Sequence, residues 1–284
     1  MNHFVLCNKN AVEDILEWSK RKRDASTHWF LFDKVLYDLC QQYPRHDNAH
    51  EVVAKIAIIG RAYSASVERR KNAETTSDRD FYYGYVAPLI VDSDLDKRLD
   101  ALRKYQTPTT ENLPEILATH LYLQELLKKA TEMNKRSFAS KYLHFHCPNL
   151  FYIFDSYSDR EINRLVKSKG KWSCPSDADA CYAKYCEKSL FIQQQTVPHE
   201  RNFPRILDSY LQVRARVRHH RGVRQQEGLI PTGKGKRLVF KETPNKARLS
   251  ALHAIYLQAL FCECHFESEC RDCLQHCKCS VISN

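Results

Sequence analysis

The stretch SFASKYLHFHCPNLFYIFDS, Ser137 to Ser156, carries the densest local signals in the 284-residue chain. Phe138, Tyr142 and Phe145 recur at helical spacing, which predicts an amphipathic helix over 137–146 with an aromatic face. Lys141 lies beside that face. It reads either as a lysine that snorkels to solvent or as an amine held in partly dry surroundings. His144 and His146 read as core or polar-edge histidines. Pro148 ends the helix, and LFYIF (residues 150–154) is buried by its composition. Asp155 then emerges ahead of a new helix in SYSDREINRLV. Ser158 and Glu161 have capping-box spacing for that helix, which leaves Asp155 open to another role.

Outward from this stretch, the first 213 residues read as mostly helical. Asn10 and Glu13 start one helix, followed by Val12, Ile15 and Leu16. Val52, Ile56, Ile59, Tyr63 and Val67 form a stripe over 49–70, in which the small residues of GRAYSAS admit a close backbone approach. Leu95, Leu99 and Leu102 mark a helix over 94–104. Pro114 suits a first helical position ahead of Leu117, Leu121 and Leu127. Ser176 and Asp179 have capping-box spacing for a helix through Cys181, Tyr185 and Leu190. Pro204 opens another, with Ile206, Leu207, Tyr210 and Leu211. Strand signals are scarce, and FYYGYVAPLIV (81–91) is the best candidate for extended or loop structure.

Four of the seven glycines fall between Gly222 and Gly235, so that stretch is read as a linker. Beyond it, Leu249, Leu252, Tyr256 and Leu260 predict a short amphipathic helix. The expected organisation is therefore a mostly α domain over 1–221, a basic linker over 222–246, and a short helix with a Cys-rich tail over 247–284. No secretory signal and no run of about 18 apolar residues is found, so the chain is expected to be intracellular, in cytoplasm, nucleoid or nucleus, and not membrane-bound.

The net charge of +10 is concentrated: residues 214–246 hold ten Lys/Arg and two acids. Arg214, Arg216, Arg218, Arg221 and Arg224 begin this run. A basic cluster of that kind suits sequence-blind phosphate contacts, or else a solvated linker. Six of the twelve cysteines lie in the last 23 residues. Without a secretion signal, metal binding explains that crowding better than disulfides do. Cys264, Cys270, Cys273 and Cys279 form the candidate ligand set. Zinc is the simplest occupant and an iron–sulfur cluster the alternative.

The order of helix, turn, apolar run and aspartate resembles the helix-hairpin-helix DNA glycosylases, the family of endonuclease III and the 8-oxoguanine glycosylases. The resemblance covers roughly residues 133–166, with Phe151–Asp155 standing where that family carries its FPxxD-type segment. It implies a helical fold, binding to double-stranded DNA with Ser137 near the hairpin, and cleavage of an N-glycosidic bond in base excision. Asp155 takes the position of the catalytic aspartate. Lys141 would be the nucleophile, one turn closer to the aspartate than the family lysine. The EMNKRSFAS segment lacks the hairpin glycines of the family. The cysteine spacing is a second echo of it, close to the iron–sulfur loop of endonuclease III, although the proposed chemistry itself requires no cofactor. Two other readings stay open: a non-catalytic DNA- or RNA-binding module with a zinc knuckle, and an interaction protein whose tail meets a partner.

Overall fold

The computed structural model describes residues 4–7, 10–20, 28–69, 77–169 and 173–227. Contacts divide the chain into units 1–216 and 217–284. The described residues are mostly helical. In order they form β1 (Phe4–Leu6), α1 (Asn10–Lys20), α2 (His28–Gln42), α3 (Ala49–Ala62) and α4 (Asp78–Phe81). A π-helical turn (Tyr82–Val86) follows, then α5 (Ala87–Val91), α6 (Leu95–Leu102), α7 (Leu113–Thr131) and α8 (Arg136–His146). The series ends with α9 (Ser156–Leu165), β2 (Val166–Ser168), α10 (Ala180–Thr196) and α11 (Phe203–Glu227). The strands β1 and β2 pair antiparallel, Phe4 opposite Ser168.

Several sequence expectations need correction. FYYGYVAPLIV is helical throughout, because Phe81, Tyr82, Val86, Ala87 and Ile90 are buried on one side. The π-helical turn supplies the offset that keeps these residues inward while Tyr83 and Tyr85 stay exposed. The helix predicted over 49–70 stops at Ala62, and Ser64 adopts a left-handed φ of 50°. The chain then turns back on itself. A Cβ at Gly60 would lie 3.6 Å from the Ser66 Cα, so the backbone that the small residues admit is the same chain.

Two predicted caps are displaced by three residues. Asp179, not Ser176, caps α10 by accepting from the Tyr182 N–H. Asp155, not Ser158, caps α9 through the Tyr157 and Ser158 N–H groups. Ser158 is fully buried inside that helix. In both cases the carboxylate is the residue immediately before the helix, where its oxygen meets the first helical N–H groups, whereas Ser176 lies too far ahead of α10 and Ser158 already lies inside α9.

Two apolar clusters build the first unit. One is centred on α2, α3, α6, α7 and α8, and the other on α1, α9, α10 and the start of α11. The run Leu150–Phe154, buried as predicted, lies along the seam. Leu150 and Phe151 belong to the first cluster, Tyr152 and Phe154 to the second. Residues 151–154 are extended without a strand partner, so side chains satisfy their carbonyls. His144 Nδ1 meets the Phe151 oxygen at 2.9 Å, and the Tyr182 hydroxyl donates to Tyr152 at 2.9 Å. The Tyr185 hydroxyl donates to Ile153 at 2.7 Å, and Lys141 Nζ to Phe154 at 3.1 Å. A buried backbone needs every one of these partners.

Among the described residues, no helix is long and apolar enough to cross a membrane.

Candidate functional site

α8 packs against α2, α3 and α7, which removes nearly its whole surface from water. The snorkelling alternative for Lys141 therefore does not hold: the residue is 4% exposed and its amine points inward. Nζ donates to Ser137 Oγ at 2.9 Å, one turn back on α8, as well as to the Phe154 carbonyl. Asp155 Oδ2 lies 4.0 Å from the same nitrogen. Ser137 thus holds Lys141 rather than standing alone at the surface. Burial lowers the Lys141 pKa, with Asp155 and Asp208 raising it and Arg205 lowering it further.

The Asp155 carboxylate divides its work between its oxygens. Oδ1 accepts both cap N–H groups, at 2.9 and 2.8 Å. Oδ2 accepts Gln212 Nε2 at 2.6 Å and faces Lys141. Behind Gln212 a buried polar chain continues. Gln212 donates to Ser158 Oγ at 3.1 Å, and Ser158 reaches Asp208 Oδ1 at 3.4 Å. Arg205 clamps Asp208 at 2.6 Å and Asp33 of α2 through both Nε and a terminal nitrogen. The Tyr63 hydroxyl closes the chain by donating to Asp33 at 2.5 Å. Burial raises the Asp208 pKa, against the pull of Arg205.

Gln212, Asp208, Arg205 and Asp33 were not anticipated from the sequence. Their signal was present: Arg205, Asp208 and Gln212 recur at helical spacing along PRILDSYLQ, a polar stripe on a helix read only by its apolar residues.

The arginine run divides. Arg214 turns inward, with Nε 3.5 Å from the buried Glu161 carboxylate and a terminal nitrogen donating to the Tyr210 hydroxyl at 3.1 Å. Arg216 is half-buried and Arg218 exposed. For Arg221 and Arg224 only the helical backbone of α11 is described. The linker expected from Gly222 starts within α11, and its remainder, with Cys264, Cys270, Cys273 and Cys279, lies outside the described residues. Among the described residues no three His, Cys, Asp or Glu side chains are placed to hold a metal ion. His144 is a core histidine, as the core alternative expected, while His146 in the last turn of α8 is half-buried.

An open groove of about 550 Å³ lies elsewhere, lined by Gly84, Tyr85, Tyr122 and Lys129 among others, and neither Lys141 nor Asp155 borders it.

A family model described as HI_0787_N, an N-terminal domain, matches residues 11–150. No curated protein and no solved structure matches the chain. The HI_0787_N match takes in Lys141 and stops one residue before the extended run that leads to Asp155.

Proposed function

We propose that this chain binds nucleic acid, in the first instance duplex DNA, and cleaves an N-glycosidic bond through Lys141 and Asp155. The observation that carries the reading is the pairing itself. An amine withdrawn from water, with its pKa lowered, stands 4.0 Å from a carboxylate oxygen. Perturbed titratable groups in such pairs are enriched at reactive sites.

The chemistry asks for both groups. A base taken out of the stack enters the site. As it leaves, positive charge develops on the sugar, and the Asp155 carboxylate stabilises that charge. The neutral Lys141 amine attacks the sugar carbon while the base departs with the bonding electron pair and takes up a proton. The aminal so formed gives up a proton from nitrogen and opens its C1′–O4′ bond, O4′ taking up a proton, and the resulting Schiff base is competent for strand cleavage at an abasic site. With Lys141 protonated, Asp155 and a water molecule would perform the hydrolysis alone. The basic residues from Arg216 onward would add phosphate contacts. In the tail, Cys264, Cys270, Cys273 and Cys279 would hold zinc, or an iron–sulfur cluster, as a folding element apart from the reaction.

A second reading is favoured by the Asp155 Oδ1 contacts, which are those of an ordinary helix cap. It makes the chain a non-catalytic DNA- or RNA-binding module whose Lys141–Asp155 pair is structural.

Borohydride trapping on abasic-site duplex, with base release from a panel of damaged and mismatched duplexes, separates the two. The enzymatic reading expects an adduct lost in Lys141→Ala and base release lost in Asp155→Asn. Activity untouched by both substitutions, or none in the wild-type chain, leaves the binding module.

A further inference from the structure

Asp155 Oδ2 has two donors within reach, and the weaker one holds it. A charged N–H normally takes a carboxylate oxygen at about 2.7–2.9 Å, ahead of a neutral amide. Here the Gln212 amide sits at 2.6 Å while the Lys141 nitrogen stands off at 4.0 Å. The stand-off has a structural cause on each side. Lys141 is drawn toward Ser137 Oγ and the Phe154 carbonyl. Gln212 is fixed from behind by Ser158, which meets Asp208, which Arg205 ties to Asp33. The amide is therefore anchored through three helices and is not a surface side chain that happens to touch a carboxylate.

We propose that Gln212 is a positioning residue that holds the Lys141–Asp155 pair open. By retaining Oδ2 it keeps the carboxylate close enough to stabilise charge near the amine, yet outside hydrogen-bond range of it. A closed pair would fix the ammonium in its protonated form and remove its lone pair from use. The charged groups acting on Lys141 are Asp155, Asp208 and Arg205. Gln212 touches the first directly and the second through Ser158. The catalytic consequence rests on the function proposed above, whereas the geometric one does not.

The test uses the full chain with ¹³C-labelled lysine and reads the Lys141 titration by NMR. Gln212→Met keeps the side-chain length and removes the amide. Oδ2 is then released to close on Nζ, so the Lys141 midpoint should rise by about one pH unit. Gln212→Ala should shift it the same way. An unchanged or lowered midpoint in a folded variant overturns the proposal. Should neither variant fold, the wild-type Gln212 amide protons decide: slow exchange is expected, and free exchange with solvent overturns it. Borohydride trapping across pH then links the residue to function. If the wild-type chain forms a Lys141-dependent adduct, its half-maximal pH should rise in Gln212→Met in step with the titration. If the wild-type chain forms none, Lys141 is not the nucleophile of the function proposed above, and the NMR midpoint still decides the role of Gln212.

Discussion

Tyr185 donates its hydroxyl to the Ile153 carbonyl at 2.7 Å, two residues ahead of Asp155. Both groups are buried in the seam between the apolar clusters. Tyr185→Phe keeps the ring and strips the carbonyl of this partner. The expected loss is about 1–3 kcal/mol of unfolding free energy, measured in urea. A loss under about 0.5 kcal/mol would mean that the extended run does not depend on side-chain donors.

Replacing the two charged residues of the site should have unequal effects on stability. Asp155→Ala removes a cap and the Gln212 acceptor, and should cost about 1–2 kcal/mol. Lys141→Met fills the same volume and takes a buried ammonium out of the interior, and the Phe154 carbonyl keeps a second donor in Ser140 Oγ at 3.3 Å, so the cost should stay under about 1 kcal/mol. A small loss would show that folding does not require the amine and leave it available for chemistry. A large loss in Lys141→Met would instead assign the amine to structure.

Asp33 and Arg205 form an enclosed ion pair in the polar chain, with side chains 10% and 14% exposed. Removing Asp33 leaves Arg205 paired with Asp208 alone and takes the acceptor from its Nε and one terminal nitrogen. Asp33→Ala should therefore cost about 3–5 kcal/mol, read from the denaturation midpoint. Lys34→Ala, on a neighbouring but exposed i,i+4 pair, should change little.

His120 is fully buried and stacked on Tyr182, with ring centroids 3.6 Å apart. Burial pushes its pKa down to about 4. The unfolded chain takes up this proton near the ordinary value of about 6.5, whereas the native chain resists until about 4. Stability is thus fully present above about 6.5 and is lost as pH falls toward 4, by an amount on the order of 3 kcal/mol. His120→Gln should flatten that part of the stability–pH curve. An unchanged slope between pH 6.5 and 5 would mean that His120 does not control it.

The proposed cysteine site in the tail makes a spectroscopic prediction. Zinc bound to Cys264, Cys270, Cys273 and Cys279 gives stoichiometric metal and no band near 400 nm, whereas an iron–sulfur cluster gives that band. Metal-free protein of unchanged stability would remove both.

Much of the fold was legible because it is written in short-range patterns. The helix carrying Phe138, Tyr142 and Phe145, the buried run Leu150–Phe154 and the helix opened by Pro114 all follow from local spacing. What escaped were decisions made by partners distant in sequence. FYYGYVAPLIV looked extended because aromatic residues favour strands, but the surrounding helices offered Phe81 and Tyr82 a helical place in the core. Lys141 was visible as a lysine beside an aromatic face, yet its full burial depends on α2, α3 and α7 closing around α8. Asp155 was singled out correctly as the end of the apolar run, but the capping assignment around it was wrong. Its most informative partner, Gln212, lies 57 positions further on and belongs to no local pattern.

The extended run at the seam also bears on how the chain can be divided. Residues 11–150, the span of the family match, contain α8 and Lys141 but neither Asp155 nor the tyrosines of α10 that grip Tyr152 and Ile153. An excised piece ending at Leu150 would keep Lys141 and lose Asp155, the other half of the charged pair. The pair is thus a joint property of two stretches of chain, and a cut at the end of the family match parts the lysine from the aspartate that faces it.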